Sequence, residues 1–412
     1  MFDMFEITII GLAILALLTI VFEEITHINK AKTTLFLGCL VWCLLFIRGH
    51  GSGQAEIESA LNENLLEIAK LWLFLMATMT FVAYLNARGL IGAMVNRLLP
   101  GELSLRKLTL LVALFALVLS MLCDNITATL VSISIILAFK LEVPEKVKLC
   151  VLIIFAVNSG GVVLITGDVT TLMIFSEKHV SIVELLGLIL PAISGVVVLA
   201  LLMSFGKNRR VEATIGSEKF KSLDFVIAGL FFGTICCTML FNLLFAIPPV
   251  LTFLLGLSVM FMIGGMVNKF KYEIHLLDYV RKIQFDTLMF FLGILLIVGS
   301  LKEIGVLVWM TNIYFMLDPD YSNYLVGILS AFLDNVPLTA ALLKAQPELT
   351  NIQWLSLTYA VGVGGSMLVI GSAAGIVAMS RVKELTFVSY SKYIVHLLVA
   401  YSVGYALCLV NV

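Results

Sequence analysis

The chain predicts an all-α polytopic membrane protein made of two related halves, and three observations carry that reading. Hydrophobic residues form 61% of the 412 and charged residues 13%, with a mean hydropathy of +1.08. A soluble core cannot absorb that much apolar surface. Apolar runs long enough to cross a bilayer recur along the whole length. Two of them, 149–176 and 354–380, carry glycines and polar residues at their centres. Lipid tolerates unpaired backbone only where protein or a water-filled cavity covers it, so a broken span marks a binding site.

In chain order, spans are expected at about 5–22, 33–48 and 67–86, followed by an interfacial stretch through Arg88, Arg97 and Lys107. The opening Met-Phe-Asp-Met-Phe-Glu lacks a basic region, so the first run reads as a retained span and not as a cleaved signal. Residues 108–139 are too few for two full spans, yet Asp124 and Asn125 sit at their centre. This predicts a re-entrant hairpin with the pair at its tip. The broken span 149–176 and a span 182–204 complete a first half, residues 1–204. A cytoplasmic linker, 205–222, leads to the second half, 223–412. There, spans at 224–245, 250–267 and 285–300 and an interfacial stretch 303–317 precede a second hairpin, 321–346, with Asp334 and Asn335 at its tip. The broken span 354–380 and a last span, 393–411, finish the chain.

The halves repeat one another. Setting Gly160-Gly161 over Gly364-Gly365 puts Gly167 over Gly371 and Asp168 over Ser372 without a gap. Upstream, Asp124-Asn-Ile-Thr-Ala-Thr129 answers Asp334-Asn-Val-Pro-Leu-Thr339, and Leu85–Gly89 answers Leu301–Gly305. Gly89 to Asp124 is 35 residues against 29 in the second half, and Asp124 to Gly160 is 36 against 30. Order is kept, and each connection shortens equally, which points to a duplication.

Lysine and arginine set the orientation. With both termini outside and both hairpins returning to the side they entered from, 21 of the 26 basic residues fall inside. Arg48, Lys70, Lys178, Lys302 and Lys344 remain outside, as the positive-inside rule prefers. The first hairpin then opens inward and the second outward, making the repeats inverted, a transporter design that holds substrate near the midplane.

The two tips and two broken spans bring Asp124, Asn125, Thr127, Thr129, Asn158, Asp168, Thr170, Thr171, Asp334, Asn335, Thr339, Ser366 and Ser372 to the middle. Nearly all offer oxygen, and none brings Lys, Arg, His or thiolate. Hard oxygen ligands suit a hard cation such as Na⁺, Li⁺ or H₃O⁺. A carboxylate in such a site holds either a proton or a metal ion, and this competition couples two fluxes. A mid-membrane aspartate costs about 2.5–3.5 kcal/mol on insertion scales, so three of them are expected to work for their place. The Asn and Thr residues serve equally as caps of hairpin turns, and the second-half glycines as packing surfaces. Asp286-Thr287, at the start of a span, is either interfacial or part of the site. The five histidines are scattered near span ends, and the seven cysteines lie mostly in apolar spans without metal-ligand spacing.

At these residues the chain resembles the NhaD-type sodium/proton antiporters of the ion transporter superfamily. The resemblance rests on Asp124-Asn-Ile-Thr, Asn158-Ser-Gly-Gly with Gly167-Asp-Val-Thr-Thr171, Asp286-Thr-Leu, Asp334-Asn-Val-Pro-Leu-Thr339 and Gly364-Gly-Ser-Met-Leu-Val-Ile-Gly-Ser-Ala-Ala-Gly375. It implies a cation and proton site at Asp124, Asn125, Asn158, Asp168, Thr170 and Thr171, with Na⁺ held by Asp124, Asn125, Asn158 and Asp168. Thr127, Asp286, Thr287, Asp334, Asn335, Ser366 and Ser372 are further candidates. Where the family often has Ser-Pro between its GG and GD elements, this chain has Leu164-Ile165. The resemblance further implies a homodimer and a transport domain that moves in an elevator motion against a scaffold in the inner (plasma) membrane.

The expectation is therefore a secondary antiporter, not an enzyme, exchanging Na⁺ or Li⁺ for H⁺ in pH homeostasis, with no cofactor and no nucleic-acid partner. No GxxxxGK[ST] motif is present, so an ion gradient should drive it. The alternatives are an anion transporter of the same superfamily, for dicarboxylate or arsenite, an intramembrane hydrolase using Asp or Ser, and a channel.

Overall fold

In the first half, three helices precede the first hairpin: α1 (Met4–Val21), α2 (Lys30–Arg48) and α3 (Gln54–Ala87). The structure is a computed structural model, and it describes the chain except for residues 1–2, 22–28, 51–52, 89–101, 205–207, 213–221, 270–275, 284, 307–313, 315, 334 and 412. Asp334, Arg97, most of the linker 205–222 and much of the interfacial stretch 303–317 thus lie outside the described residues.

α3 has 34 residues, about 51 Å at 1.5 Å per residue. It extends well before the apolar run 67–86, because its polar first third continues the helix past the point where hydropathy stops marking it. Strand β1 (Glu102–Ser104) leads into α4 (Leu105–Leu122), which turns at Asp124 into α5 (Asn125–Leu137). α6 (Val143–Gly161) and α7 (Val169–Ser176) are the two arms of the first interrupted helix. The run 182–204 divides at Gly187 into α8 (Ile182–Leu186) and α9 (Ile189–Ser204).

One small feature departs from an all-helical chain. β2 (Arg210–Glu212) pairs antiparallel with β1, Leu103 opposite Val211. Arg209 fastens this ribbon to the start of α6, donating from Nε and Nη2 to the Glu145 carboxylate at 2.9 and 2.6 Å. Three-residue strands in polar sequence carry no alternation to read.

The second half runs through α10 (Ser222–Phe245), α11 (Pro249–Lys269), α12 (Leu277–Val280) and α13 (Phe285–Glu303) to a second hairpin, α14 (Pro319–Ser330) and α15 (Asn335–Ala345). α16 (Asn351–Gly364), a 3₁₀ turn at Gly365–Met367 and α17 (Ala373–Arg381) form the second interrupted helix; α18 (Phe387–Ser391) and α19 (Ile394–Asn411) follow. A capping box starts α16, with Thr350 Oγ1 accepting from the Gln353 amide and Gln353 Oε1 accepting from the Thr350 amide. Among the described residues, seven helical stretches of at least 18 residues, with mean hydropathies of 1.6 to 2.7, are long and apolar enough to cross a membrane. The chain is a multi-pass α-helical membrane protein.

Packing partners come in matching pairs. α4 lies on α6 as α14 lies on α16, and α5 touches α17 as α15 touches α7. α2 packs on α13 as α11 packs on α3, and α9 packs on α19. Hydrogen bonds from Trp42 Nε1 to the Leu296 carbonyl (2.9 Å), Asn64 Nδ2 to Leu295 (3.3 Å) and Trp72 Nε1 to Leu288 (3.2 Å) tie α2 and α3 to α13. These three helices form a continuous wall. Buried Asp224 anchors α10 to the end of α3, accepting from Tyr84 Oη at 2.8 Å and Arg88 Nε at 2.7 Å.

Glycine sets the distance between hairpin and interrupted helix. A Cβ on Gly160 would stand 2.1 Å from the Leu117 carbonyl oxygen, and one on Gly364 2.0 Å from that of Gly327. In sequence, Leu117 and Gly327 lie seven residues before Asp124 and Asp334. Gly229 in α10, by contrast, would place a Cβ with nothing within 4 Å. Gly160→Ala should therefore lower the melting temperature in detergent by several degrees, since overpacking against backbone costs about 1–3 kcal/mol. Gly229→Ala should leave it unchanged or raise it. Equal melting temperatures for the two variants would contradict this packing.

Candidate functional site

Four helix starts meet at one cavity. Asp124 caps α5, its Oδ1 accepting from the Thr127 amide at 2.9 Å and its Oδ2 from the Thr127 hydroxyl at 2.8 Å. Asp168 caps α7, its Oδ1 accepting from the Thr170 amide at 3.3 Å. Ser372, the residue aligned with Asp168, caps α17 through the Gly375 amide. Asn335 is the first residue of α15. The breaks form where glycine ends α6 and α16, and the first is closed by a turn from the Gly167 amide to the Leu164 carbonyl at 3.0 Å. A proline is not required for it.

The arms of each half then bind the other half crosswise. Asn335 Nδ2 donates to Asp168 Oδ2 at 3.0 Å, and Asn158 Nδ2 donates to Ser372 Oγ at 3.1 Å. Asn125 Oδ1 accepts from Ser120 Oγ at 2.8 Å. A Cβ on Gly161 would stand 2.6 Å from Asn125 Oδ1 and 3.1 Å from Asp168 Cβ, so only glycine lets these two side chains crowd the same point.

The cavity measures about 400 Å³. Of the residues that the sequence singles out, Asp124, Asn125, Asp168, Asp286, Thr287 and Asn335 line it. Thr127, Asn158, Thr170, Thr171, Ser366 and Ser372 stand behind its wall. Thr127 spends its hydroxyl on Asp124, Thr171 donates to the Gly161 carbonyl at 3.3 Å, and Ser366 donates to the Val363 carbonyl at 2.6 Å. Asp334 lies outside the described residues. Asp286 belongs to the α2–α3–α13 wall, where its Oδ2 accepts from Asn29 Nδ2 at 3.4 Å.

Two polar lining residues, Asn29 and Arg381, are not among the site residues expected from sequence. Asn29 caps α2, accepting from the Ala31 and Lys32 amides at 3.0 and 3.2 Å. Arg381 closes α17 and brings a cation to a wall that otherwise offers oxygen and apolar side chains. A start signal of Asn before an apolar helix was available for Asn29; a single Arg at a span end carries none.

The second layer keeps oxygen in reserve. Asn158 Oδ1 and Thr170 Oγ1 are buried without a hydrogen-bond partner among the described residues. Buried polar atoms are rarely left so, and each unmade bond costs about 1–3 kcal/mol. Among the described residues, no three His, Cys, Asp or Glu side chains gather as a metal cluster. The chemistry available is that of two or three carboxylates eked out by amide, hydroxyl and backbone oxygen, a set that suits a weakly held hard cation and not a soft metal.

Comparison with known proteins agrees in extent with this architecture. The CitMHS family, described as citrate transporter, matches residues 4–364. The Na(+)/H(+) antiporter NhaD of Vibrio cholerae is 32% identical over 94% of this chain and 88% of its own length. That of Vibrio parahaemolyticus is 31% identical over 89% and 96%. Sodium/proton antiporter 1 of Arabidopsis thaliana is 30% identical over 94% and 69%. The chain belongs to the CitMHS family and, within it, to the NhaD-type Na⁺/H⁺ antiporters.

Proposed function

We propose that the protein exchanges Na⁺, and Li⁺ with it, for H⁺ by alternating access, with Asp124 and Asp168 binding cation or proton in competition. The observation that carries this reading is the pair of capping carboxylates lining one cavity between two crossed half-sites. Helix N-termini alone attract anions. A carboxylate cap on α5 and on α7 offsets that field, and the neighbouring amide and hydroxyl oxygens complete a cation shell.

Matching packing pairs, and the Gly160 and Gly364 contacts, support reading residues 1–204 and 223–412 as inverted repeats joined by a cytoplasmic linker. The α2–α3–α13 wall would be scaffold, and the hairpins and interrupted helices the moving part of a homodimeric elevator. Ion pairs fit the division of the loops between two sides, because they join residues that the basic-residue count puts together; the outside placement of the termini, in the inner (plasma) membrane, follows that count. Arg48 pairs with Asp3 at 3.4 Å, whereas Lys146 pairs with Glu384 at 3.3 Å and Arg209 with Glu145.

Arg381 favours one competing reading, transport of an anion such as a dicarboxylate, since it lines the same cavity. Proteoliposomes with a trapped pH dye and an imposed pH gradient separate the two. NaCl or LiCl should dissipate the gradient, KCl should not, and Asp124→Asn and Asp168→Asn should each lose at least 100-fold in rate, on the order of a charged contact worth about 3 kcal/mol. Dicarboxylate uptake without cation-driven proton movement would overturn the reading.

Asn335→Leu removes the donor to Asp168 Oδ2 while leaving the carboxylate. It should raise the apparent Na⁺ half-saturation concentration about tenfold at a nearly unchanged maximal rate, and an unaltered half-saturation in the same assay would contradict the crosswise bond.

A further inference from the structure

Four of the helices that line the cavity, α3, α7, α13 and α15, also line a second, smaller one. α3, α7, α13 and α15 run from the cavity of Asp124 and Asp168 to a space of about 70 Å³ beside Glu67, Met173, Val298 and Lys344. On each helix the nearest members of the two lining sets lie about one turn apart: Leu75 and Leu71 on α3, Val169 and Met173 on α7, Phe291 and Leu295 on α13, Val336 and Ala340 on α15. The two spaces are thus stations on one seam, between the α3–α13 wall and the α7–α15 pair that carries Asp168 and Asn335.

At the second station an ion pair crosses the seam. Lys344, in the last turn of α15, donates to the Glu67 carboxylate of α3, with side-chain exposures of 14% and 27%. Ordinary surface pairs contribute little. A half-buried pair in a four-helix seam holds two elements in register, and breaking it leaves a poorly solvated charge on each side. Lys302 pairs with Glu63 at 3.6 Å within the wall itself and marks the outer rim. Glu177, at the end of α7, faces the same space.

We infer that Glu67 and Lys344 form the gate on the face opposite the main cavity, closed here, and that they must part for the site to open to that face. The pair joins wall to α15 nine residues from Asn335, about 13 Å along the helix, so its release frees the far end of the element holding Asp168. It rests on alternating access and not on the identity of the transported ion. Glu67 and Lys344 are positioning residues: they touch neither Asp124 nor Asp168.

The test introduces a reporter into the seam and varies the pair. Leu343→Cys, made in the full-length protein, is labelled from each face of membrane vesicles with an impermeant thiol reagent, against the background of the native cysteines without Leu343→Cys. Lys344→Gln and Glu67→Gln should each raise its labelling rate from the Glu67 face several-fold, and Lys344→Arg should not. The charge swap Glu67→Lys with Lys344→Glu should return labelling towards the parent value. Thermal stability in detergent shows that each variant is folded, and Glu67→Asp, whose shorter side chain weakens the pair while keeping its charge, serves if a neutralised variant is not and should raise labelling in the same direction. Labelling unchanged by both neutralisations, or a swap that behaves like the single variants, would overturn the gate. Because labelling needs no transported ion, failure of Na⁺/H⁺ exchange and failure of the gate would be told apart.

Discussion

A carboxylate capping the start of a largely buried apolar helix is the constraint around which the rest is arranged. Asp124 and Asp168 each satisfy backbone amides that a break would otherwise leave unpaired, and the same amides partly neutralise the charge that lipid would reject. Such a group cannot stand on a continuous helix, where the amides are already bonded. The breaks after Gly161 and before Asn125 are therefore part of the site's electrostatics, and the close approach of Gly160 to the Leu117 carbonyl is what brings broken helix and hairpin into one unit.

From this follows the crossed arrangement. Each half supplies a hairpin tip and an interrupted helix, and each interrupted helix finds its partner in the opposite half, Asp168 with Asn335 and Ser372 with Asn158. Only one of the two aligned caps is a carboxylate. Two matching frames thus carry unequal chemistry, Asp168 in the cavity lining and Ser372 outside it. Facing both is the α2–α3–α13 wall, cross-linked within itself by tryptophan and asparagine bonds to backbone, which contributes Asp286 and Asn29.

Much of this was legible in the sequence because the breaks need residues of particular types. Paired glycines and an Asp-Asn pair in an apolar run mark helix ends: α6 stops at Gly161 and α16 at Gly364, and α5 and α15 start at Asn125 and Asn335. Asp168 and Ser372, aligned from sequence alone, are both helix caps. What was not legible depends on longer range or on weak local signals. The extra length of α3 is polar helix beyond the apolar run, and the β1–β2 ribbon joins segments about 100 residues apart. Arg381 is one basic residue at a span end, indistinguishable in sequence from those that merely set orientation. Nor does periodicity tell which of thirteen candidate oxygens faces a cavity and which stands behind it; that depends on how the halves cross.

Competition of cation and proton for the same carboxylates is tested most directly by binding without transport. Purified protein in a weakly buffered detergent solution with a pH indicator is mixed with NaCl, with choline chloride as the ionic-strength control. Protons should be released on Na⁺ addition, in an amount that falls at high pH where the sites are already empty of protons, and none should be released from a variant carrying Asp124→Asn and Asp168→Asn. Saturable Na⁺ binding, seen by calorimetry, with no proton released at any pH would contradict that competition.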